Sequence, residues 1–217
     1  MKCTQGSEAN MNYYLSSYKL GNPPEKFADL FSQNKSVAYI PNALDFKGAD
    51  PNRVRTHIAS DMSDLEKIGL DATVLDLKDY FDKPPEELEN LLNSLAGLWI
   101  SGGNVFVLRQ AMMLSGLDKI ILEKNKDEDF VYGGYSAGCC VLSESLLSYQ
   151  IASDPKETPY PGLDSTIWTG LGLIDFAFMP HYQSSHSESD QIDEEIEYCK
   201  SNNISYKPVK DGDVLIF

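Results

Sequence analysis

The chain has 217 residues, with Lys+Arg 18 against Asp+Glu 33 and a formal net charge of −15. That length suits one domain able to bury its own core, and 42% hydrophobic with 11% aromatic residues speaks against disorder. The acidity argues against a nucleic-acid surface, which needs a basic face, and against anionic membranes.

Residues 1–10 read as a polar leader without the apolar stretch of a signal peptide, and 11–217 as a single domain. Tyr13-Tyr14-Leu15 begins a strand. Pro23 to Phe31 reads as a helix with Phe27, Leu30 and Phe31 on one face. Val37 to Ile40 is a buried strand ending at Pro41. Arg53 to Ile68 is helical, with His57 on its apolar face in a structural role. Ala72 to Leu77 is a strand, and Pro84-Pro85 opens a helix through Leu95. Leu98-Trp99-Ile100 is a strand broken by Gly102-Gly103. Val105 to Leu114 is helical, and another helix follows Leu117. Phe130 to Tyr132 is a strand, with a helix from Ala137. Ser153 to Gly172 carries repeated Pro and Gly and reads as a loop. Phe176 to Met179 is a strand, Ser189 to Lys200 an acidic helix, and Val214 to Phe217 closes the chain. Strands alternating with helices predict an α/β fold with a mostly parallel sheet. Ligand sites in such sheets lie beyond the carboxyl ends of the strands.

The four cysteines, Cys3, Cys139, Cys140 and Cys199, form no CxxC pair, which points to a reducing, cytoplasmic setting. No apolar run approaches a membrane span. No spacing suggests a metal site, and no dinucleotide or Walker loop occurs, so no cofactor is expected.

Gly134-Tyr135-Ser136-Ala137-Gly138 is G-x-S-x-G between a strand and an apolar helical segment, the context a nucleophile elbow requires. Its glycines avoid clashes at a strained turn. The N–H of Ala137 is the natural first oxyanion donor, and the loop Ser101-Gly102-Gly103-Asn104 can supply a second by close backbone approach. Such a serine needs a base. His181 follows a strand, where that base belongs, and is favoured over His186 in the polar loop beyond it. The orienting acid stays open on the residues alone, between Asp211, Asp213, Asp154 and Asp164. Cys139 and Cys140 read as buried packing residues.

Three motifs in order, Gly102-Gly103-Asn104-Val105-Phe106, Gly134 to Gly138 and Pro180-His181-Tyr182, resemble those of the peptidase E (α-aspartyl dipeptidase) family of serine peptidases, which also contains cyanophycinase. The resemblance implies a three-layer α/β/α fold with a mostly parallel central sheet, similar to class I glutamine amidotransferases (flavodoxin-like). It implies Ser136 as nucleophile, His181 as base, and Gly102, Gly103 and Ala137 as the oxyanion hole. The family's late Glu-Gly turn matches Asp211 in Lys210-Asp211-Gly212. The expected activity is hydrolysis of a small peptide substrate through an acyl-enzyme. Two departures stand out. Ser101 replaces the first glycine of Gly-Gly-Gly-Asn. The family's Gly-Glu-Thr-Arg stretch reads Ser187-Glu188-Ser189-Asp190, with an acid in place of the arginine that meets the substrate's aspartate. A carboxylate there would repel such a substrate, leaving Arg53, Arg55 and Arg109 as the arginines that could hold one. Two alternatives are an amidotransferase-like amide hydrolase using Cys139 or Cys140, and a non-catalytic relative that binds a small ligand.

Overall fold

The computed structural model describes residues 11–163 and 165–217, so the expected leader and the candidate acid Asp164 lie outside the described residues. Five parallel strands and one antiparallel strand form the main sheet. They are β1 (Asn12–Ser16), β2 (Ser36–Ile40), β3 (Asp71–Val74), β4 (Gly97–Ile100), β5 (Val131–Tyr135) and, after the short strands below, β8 (Val214–Ile216). Their order is β3-β2-β4-β5-β1-β8, and only β8 runs antiparallel, against β1.

The central strands β1, β2, β4 and β5 are covered on both faces, so the side chains that alternate between those faces are largely apolar. On one face Tyr13, Leu15, Ala38, Ile40, Leu98, Ile100 and Tyr132 point into a large core. On the other, Tyr14, Val37, Tyr39, Trp99, Val131 and Tyr135 point into a smaller, aromatic one. The large core is covered by α3 (Pro85–Asn93), α4 (Val105–Ser115), α5 (Leu117–Lys124) and α6 (Ala137–Cys140). The aromatic core is covered by α1 (Glu25–Ala28), through Phe27, and α2 (Pro51–Lys67), through Leu65. The result is the expected three-layer α/β/α arrangement.

Local chemistry sets the boundaries. Asp50 caps α2 by accepting from the Asn52 N–H, and Pro51 takes the first helical position. The Asn104 side chain accepts from the N–H groups of Phe106 and Val107 and so starts α4. The helix expected over Pro23 to Phe31 shrinks to one turn. The helix after the elbow also stops after four residues. Beyond it Ser143 Oγ bonds the Tyr149 hydroxyl at 2.6 Å and the Phe176 carbonyl at 3.1 Å, stabilising turns instead of helix.

The expected strand after the long loop is β6 (Ala177–Met179), but it lies outside the main sheet. It pairs in parallel with β7 (Tyr206–Pro208), which the sequence pattern did not reveal. The acidic helix α7 (Ser189–Ser201) connects the two. Among the described residues no helix is long and apolar enough to cross a membrane.

Candidate active site

Three adjacent strands, β4, β5 and β1, end at the same place and deliver most of the site. Beyond β5, Ser136 has φ 48 and ψ −115, a sparsely populated conformation for a residue with a side chain. Such a residue costs about 1–3 kcal/mol and persists only where its surroundings impose it. Here the Ser136 N–H donates to the Ser16 carbonyl at the end of β1, and its own carbonyl receives the N–H groups of Cys139 and Cys140. A side chain at Gly138 would meet the Ile100 carbonyl at 2.6 Å, which explains the last glycine of the motif.

Beyond β4, the glycine loop folds back against the elbow. A methyl group on Gly102 would lie 3.2 Å from Ser136 Cβ, so the loop and the serine touch. Gly103 has φ 140, and a Cβ there would sit 2.3 Å from the Ala43 carbonyl oxygen. Only glycine fits that approach. Among the described residues the N–H groups of Gly103 and Ala137 donate to no protein acceptor. Ala137 opens α6, where no intrahelical acceptor exists. Asn104 secures the loop further, since its Nδ2 donates to the Asp154 carbonyl at 3.0 Å.

His181 follows β6 and is buried, and its Nδ1 lies 2.7 Å from Asp211 Oδ1. Asp211 sits in the turn between β7 and β8, where the Asp213 N–H bonds the Lys210 carbonyl. Of the acids left open that the structure describes, Asp211 is the one that pairs with this histidine. Asp213 is exposed, and the Asp154 carboxylate only caps the Lys156 N–H. Burial would raise the Asp211 pKa, but hydrogen bonds from Ser17 and His181 outweigh it and hold the carboxyl below its ordinary value. Burial lowers the His181 pKa, and the neighbouring His186 ring lowers it further, while Asp211 pulls the other way. The imidazole is therefore held neutral.

Ser17 and Tyr18, which the sequence reading passed over, and His186, which it named as the less favoured base, organise this pair. Ser17 Oγ accepts the His181 backbone N–H at 2.7 Å and donates to Asp211 Oδ1 at 2.8 Å. The Tyr18 ring packs on His181, on His186 and on Tyr135 beside the nucleophile. His186 stacks on His181 with centroids 3.7 Å apart and planes 10° apart. The available signal was positional: Ser16-Ser17-Tyr18 is a polar run at the carboxyl end of a buried parallel strand.

Below Ser136 lies a buried polar cluster. The hydroxyls of Tyr39 and Tyr135 both donate to Asp61 Oδ2 at 2.8 Å, and Lys19 pairs with Asp61 Oδ1. His57 Nε2 lies 2.5 Å from the Tyr135 hydroxyl. The expectation that His57 sits on an apolar helix face is corrected. It is half-buried and belongs to this network, which α2 carries because Asp61 lies one turn beyond it. Burial alone would raise the Asp61 pKa, but the bonds from His57 and Lys19 lower it, so a charge persists in the core. The cluster fixes Tyr135, the residue that precedes the elbow serine.

The structure therefore brings together Ser136, Gly102, Gly103 and Ala137 on one side, and His181 with Asp211 on the other. Among the described residues no hydrogen bond joins Ser136 Oγ to His181. Asp190, expected to face the substrate, is exposed in the first turn of α7. The acids that do line the cavity at Ser136 are Glu188 and Glu195. Arg109 is buried in a pair with Asp118 at 3.0 Å, and Arg53 and Arg55 are exposed on α2. Cys139 and Cys140 are buried, and burial pushes both thiols well above their ordinary pKa. That removes the thiolate on which a cysteine nucleophile depends.

His181, His186 and Glu188 each offer a ligand atom within 4.8 Å of the others. The two rings lie in nearly parallel planes, and His181 Nδ1 is taken by Asp211.

A three-layer α/β/α fold carrying a strained serine, a facing glycine loop and a buried His–Asp pair defines a hydrolase-type site. The chain belongs to Peptidase family S51, whose family model matches residues 13–217. An uncharacterized peptidase of Listeria innocua is 30% identical over 155 residues, 70% of this chain and 66% of the relative, just under two thirds of its length. An uncharacterized peptidase of Listeria monocytogenes is 28% identical over 153 residues, 70% of this chain and 68% of that one. In fold, the chain is similar to a candidate peptidase E from Listeria monocytogenes, with TM-score 0.73, 23% identity and coverage of 96% of this chain and 98% of that one. A peptidase from an acI-B1 actinobacterium aligns with TM-score 0.59 and 18% identity, covering 85% of this chain and 75% of that one.

Proposed function

We propose that this chain is a serine peptidase that hydrolyses short peptides through Ser136, His181 and Asp211. The observation that carries the reading is the strained Ser136 beside two N–H groups that donate to no protein acceptor among the described residues, with the buried His181–Asp211 pair across the Tyr18 ring. Family membership supports the same conclusion.

In this mechanism Ser136 Oγ attacks the scissile carbonyl carbon as its proton passes to His181 Nε2. The N–H groups of Gly103 and Ala137, with Gly102 shaping the loop, hold the oxyanion that forms. Asp211 fixes the imidazole through Nδ1–H and stabilises the imidazolium. The C–N bond then breaks, and the leaving amine takes the proton from Nε2. Water attacks the acyl-enzyme by the same route and frees Ser136. The Ser136–His181 hydrogen bond and the two bonds to the oxyanion form with substrate in place, as catalytic hydrogen bonds commonly do. Buried free thiols at Cys139, Cys140 and Cys199 agree with action in the reducing cytoplasm.

The test is hydrolysis of a dipeptide panel by the full chain and by Ser136→Ala. The variant should keep its fold and lose turnover by at least about a thousandfold, the order by which triad members matter. Unchanged turnover would overturn the proposal.

A further inference from the structure

The two oxyanion donors come from separate segments. The Gly103 N–H belongs to the loop after β4, and the Ala137 N–H to the elbow after β5. The ladder between those strands ends with Ile100 opposite Gly134, before either donor is reached. Contacts beyond the ladder must therefore keep the two donors at a fixed spacing, since an oxyanion hole works through preorganisation.

Tyr135 spans that gap. It is the last residue of β5, and a Cβ on Gly102 would lie 2.8 Å from its ring and 3.2 Å from Ser136 Cβ. The glycine loop thus rests on the Tyr135 ring as well as on the serine. Trp99, Tyr18 and His57 pack around the same ring, with centroids 6.0, 6.1 and 6.3 Å away. The far end of the ring is tied on two sides. Its hydroxyl donates to Asp61 Oδ2 at 2.8 Å, and His57 Nε2 lies 2.5 Å from that hydroxyl.

Asp61 is 2% exposed and takes no part in the chemistry just described. Groups from β2, β5, α2 and the segment after β1 converge on it, namely Tyr39, Tyr135, His57 and Lys19. A buried ion pair often contributes no more to stability than apolar residues of the same volume would. What so many partners do achieve is to fix one carboxylate in place, and with it the tyrosine hydroxyls that meet it.

We propose that Asp61 is a positioning residue for the oxyanion hole, acting through Tyr135, whose anchored ring holds the Gly102–Gly103 loop against the elbow. His57 is the second anchor of the same ring. The inference rests on Ser136 being the nucleophile and adds to that reading what keeps Gly103 and Ala137 in register.

The experiment measures kcat and KM on alanyl-p-nitroanilide, and inhibition by the boronic acid analogue of alanine, in the full chain and its variants. The boronic acid forms a tetrahedral adduct on a serine and reports the oxyanion hole in each folded molecule, whereas misfolded molecules only lower the titratable fraction. Tyr135→Phe keeps the ring and loses the hydroxyl. It should lower kcat roughly tenfold, less than the hundredfold or more that deleting an oxyanion donor costs. KM should stay within about twofold, and Ki should rise by about the factor that kcat falls, as for any loss confined to the transition state. The acid limb of kcat/KM should not move in this variant, because His181 and Asp211 are untouched. Asp61→Asn should match it in kcat and Ki. His57→Gln, at a half-buried position, removes one anchor and should lower kcat by less, and with Tyr135→Phe it keeps the test intact if Asp61→Asn does not fold. Values of kcat and Ki unchanged in Tyr135→Phe and His57→Gln, or a fall in kcat without a matching rise in Ki, would overturn the proposal. Labelling of Ser136 by a fluorophosphonate separates the two levels. A labelled, active parent whose variants behave like it overturns the positioning role alone, whereas an unlabelled, inactive parent overturns the nucleophile and the positioning role with it.

Discussion

The hydroxyl of Ser17 donates to Asp211 Oδ1 at 2.8 Å, the same oxygen that lies 2.7 Å from His181 Nδ1. Since Ser17 Oγ also accepts the His181 N–H, one serine at the end of β1 positions both the imidazole and its carboxylate. Ser17→Ala leaves a buried N–H without an acceptor, and should cost about 1–2 kcal/mol of stability. It should also lower kcat about tenfold with little change in KM, because the loss falls on orientation and not on binding. Steady-state kinetics with a thermal melt checks both.

Ser136→Gly addresses the strain at the elbow. Glycine adopts φ 48 and ψ −115 freely, so the variant should be inactive yet more stable by about 1 kcal/mol, seen as a rise of roughly 2–4 °C in Tm. A fall in Tm would show that the turn holds no strain.

The pH profile follows from His181, which must be neutral to accept a proton. Its pKa lies below the ordinary 6.5, first through burial and then through His186. The acid limb of kcat/KM should therefore lie below pH 6.5. His186→Phe, which keeps a ring on the stack, should move the limb upward, and Asp211→Asn should move it downward. The stability sign is the same as for a depressed carboxyl. The contribution of neutral His181 is present above pH 6.5 and is lost as pH falls through the folded-state value.

Glu195 has the opposite sign. Burial pushes its pKa up to about 7 from the ordinary 4.5, against the two backbone N–H bonds that lower it. Its contribution is therefore present below about pH 4.5 and is lost as pH rises through about 7. Glu195→Gln should be more stable than the parent by about 1–3 kcal/mol at pH 8.5, with the gain shrinking toward pH 4.5. Urea unfolding at both pH values measures the difference.

The arginine that the family places against an aspartyl substrate has no equivalent in this cavity, whose acids are Glu188 and Glu195. Aspartyl and alanyl dipeptides sharing a C-terminal residue should accordingly show kcat/KM values within about tenfold of each other. A preference for the aspartyl peptide of a hundredfold or more would require a cation near Ser136 that this arrangement lacks.

The residues whose role is local were legible in the sequence. Short apolar runs such as Leu98-Trp99-Ile100 marked the buried strands, and G-x-S-x-G between strand and helix located Ser136, because turn sterics leave few residue choices there. Gly103 was legible for the same reason, as a close backbone approach, whereas the capping role of Asn104 emerged only in the structure. What could not be read depends on contacts between distant segments. Asp211 meets Ser17 across 194 positions, and Tyr39 and Tyr135 converge on Asp61 from separate strands. Asp190 and Glu188 are two residues apart, and only the geometry at the start of α7 decides that Glu188 faces the cavity while Asp190 faces solvent. The strand β7 was missed because Tyr206-Lys207-Pro208 is too short and too exposed to leave a hydrophobic pattern.

The most direct test of the central claim is the site of covalent labelling by a fluorophosphonate, read by peptide mass spectrometry. The account predicts a single adduct on Ser136, absent in Ser136→Ala and formed at least about a hundredfold more slowly in His181→Gln. A folded protein that stays unlabelled, or that carries its adduct on any other residue, would contradict it.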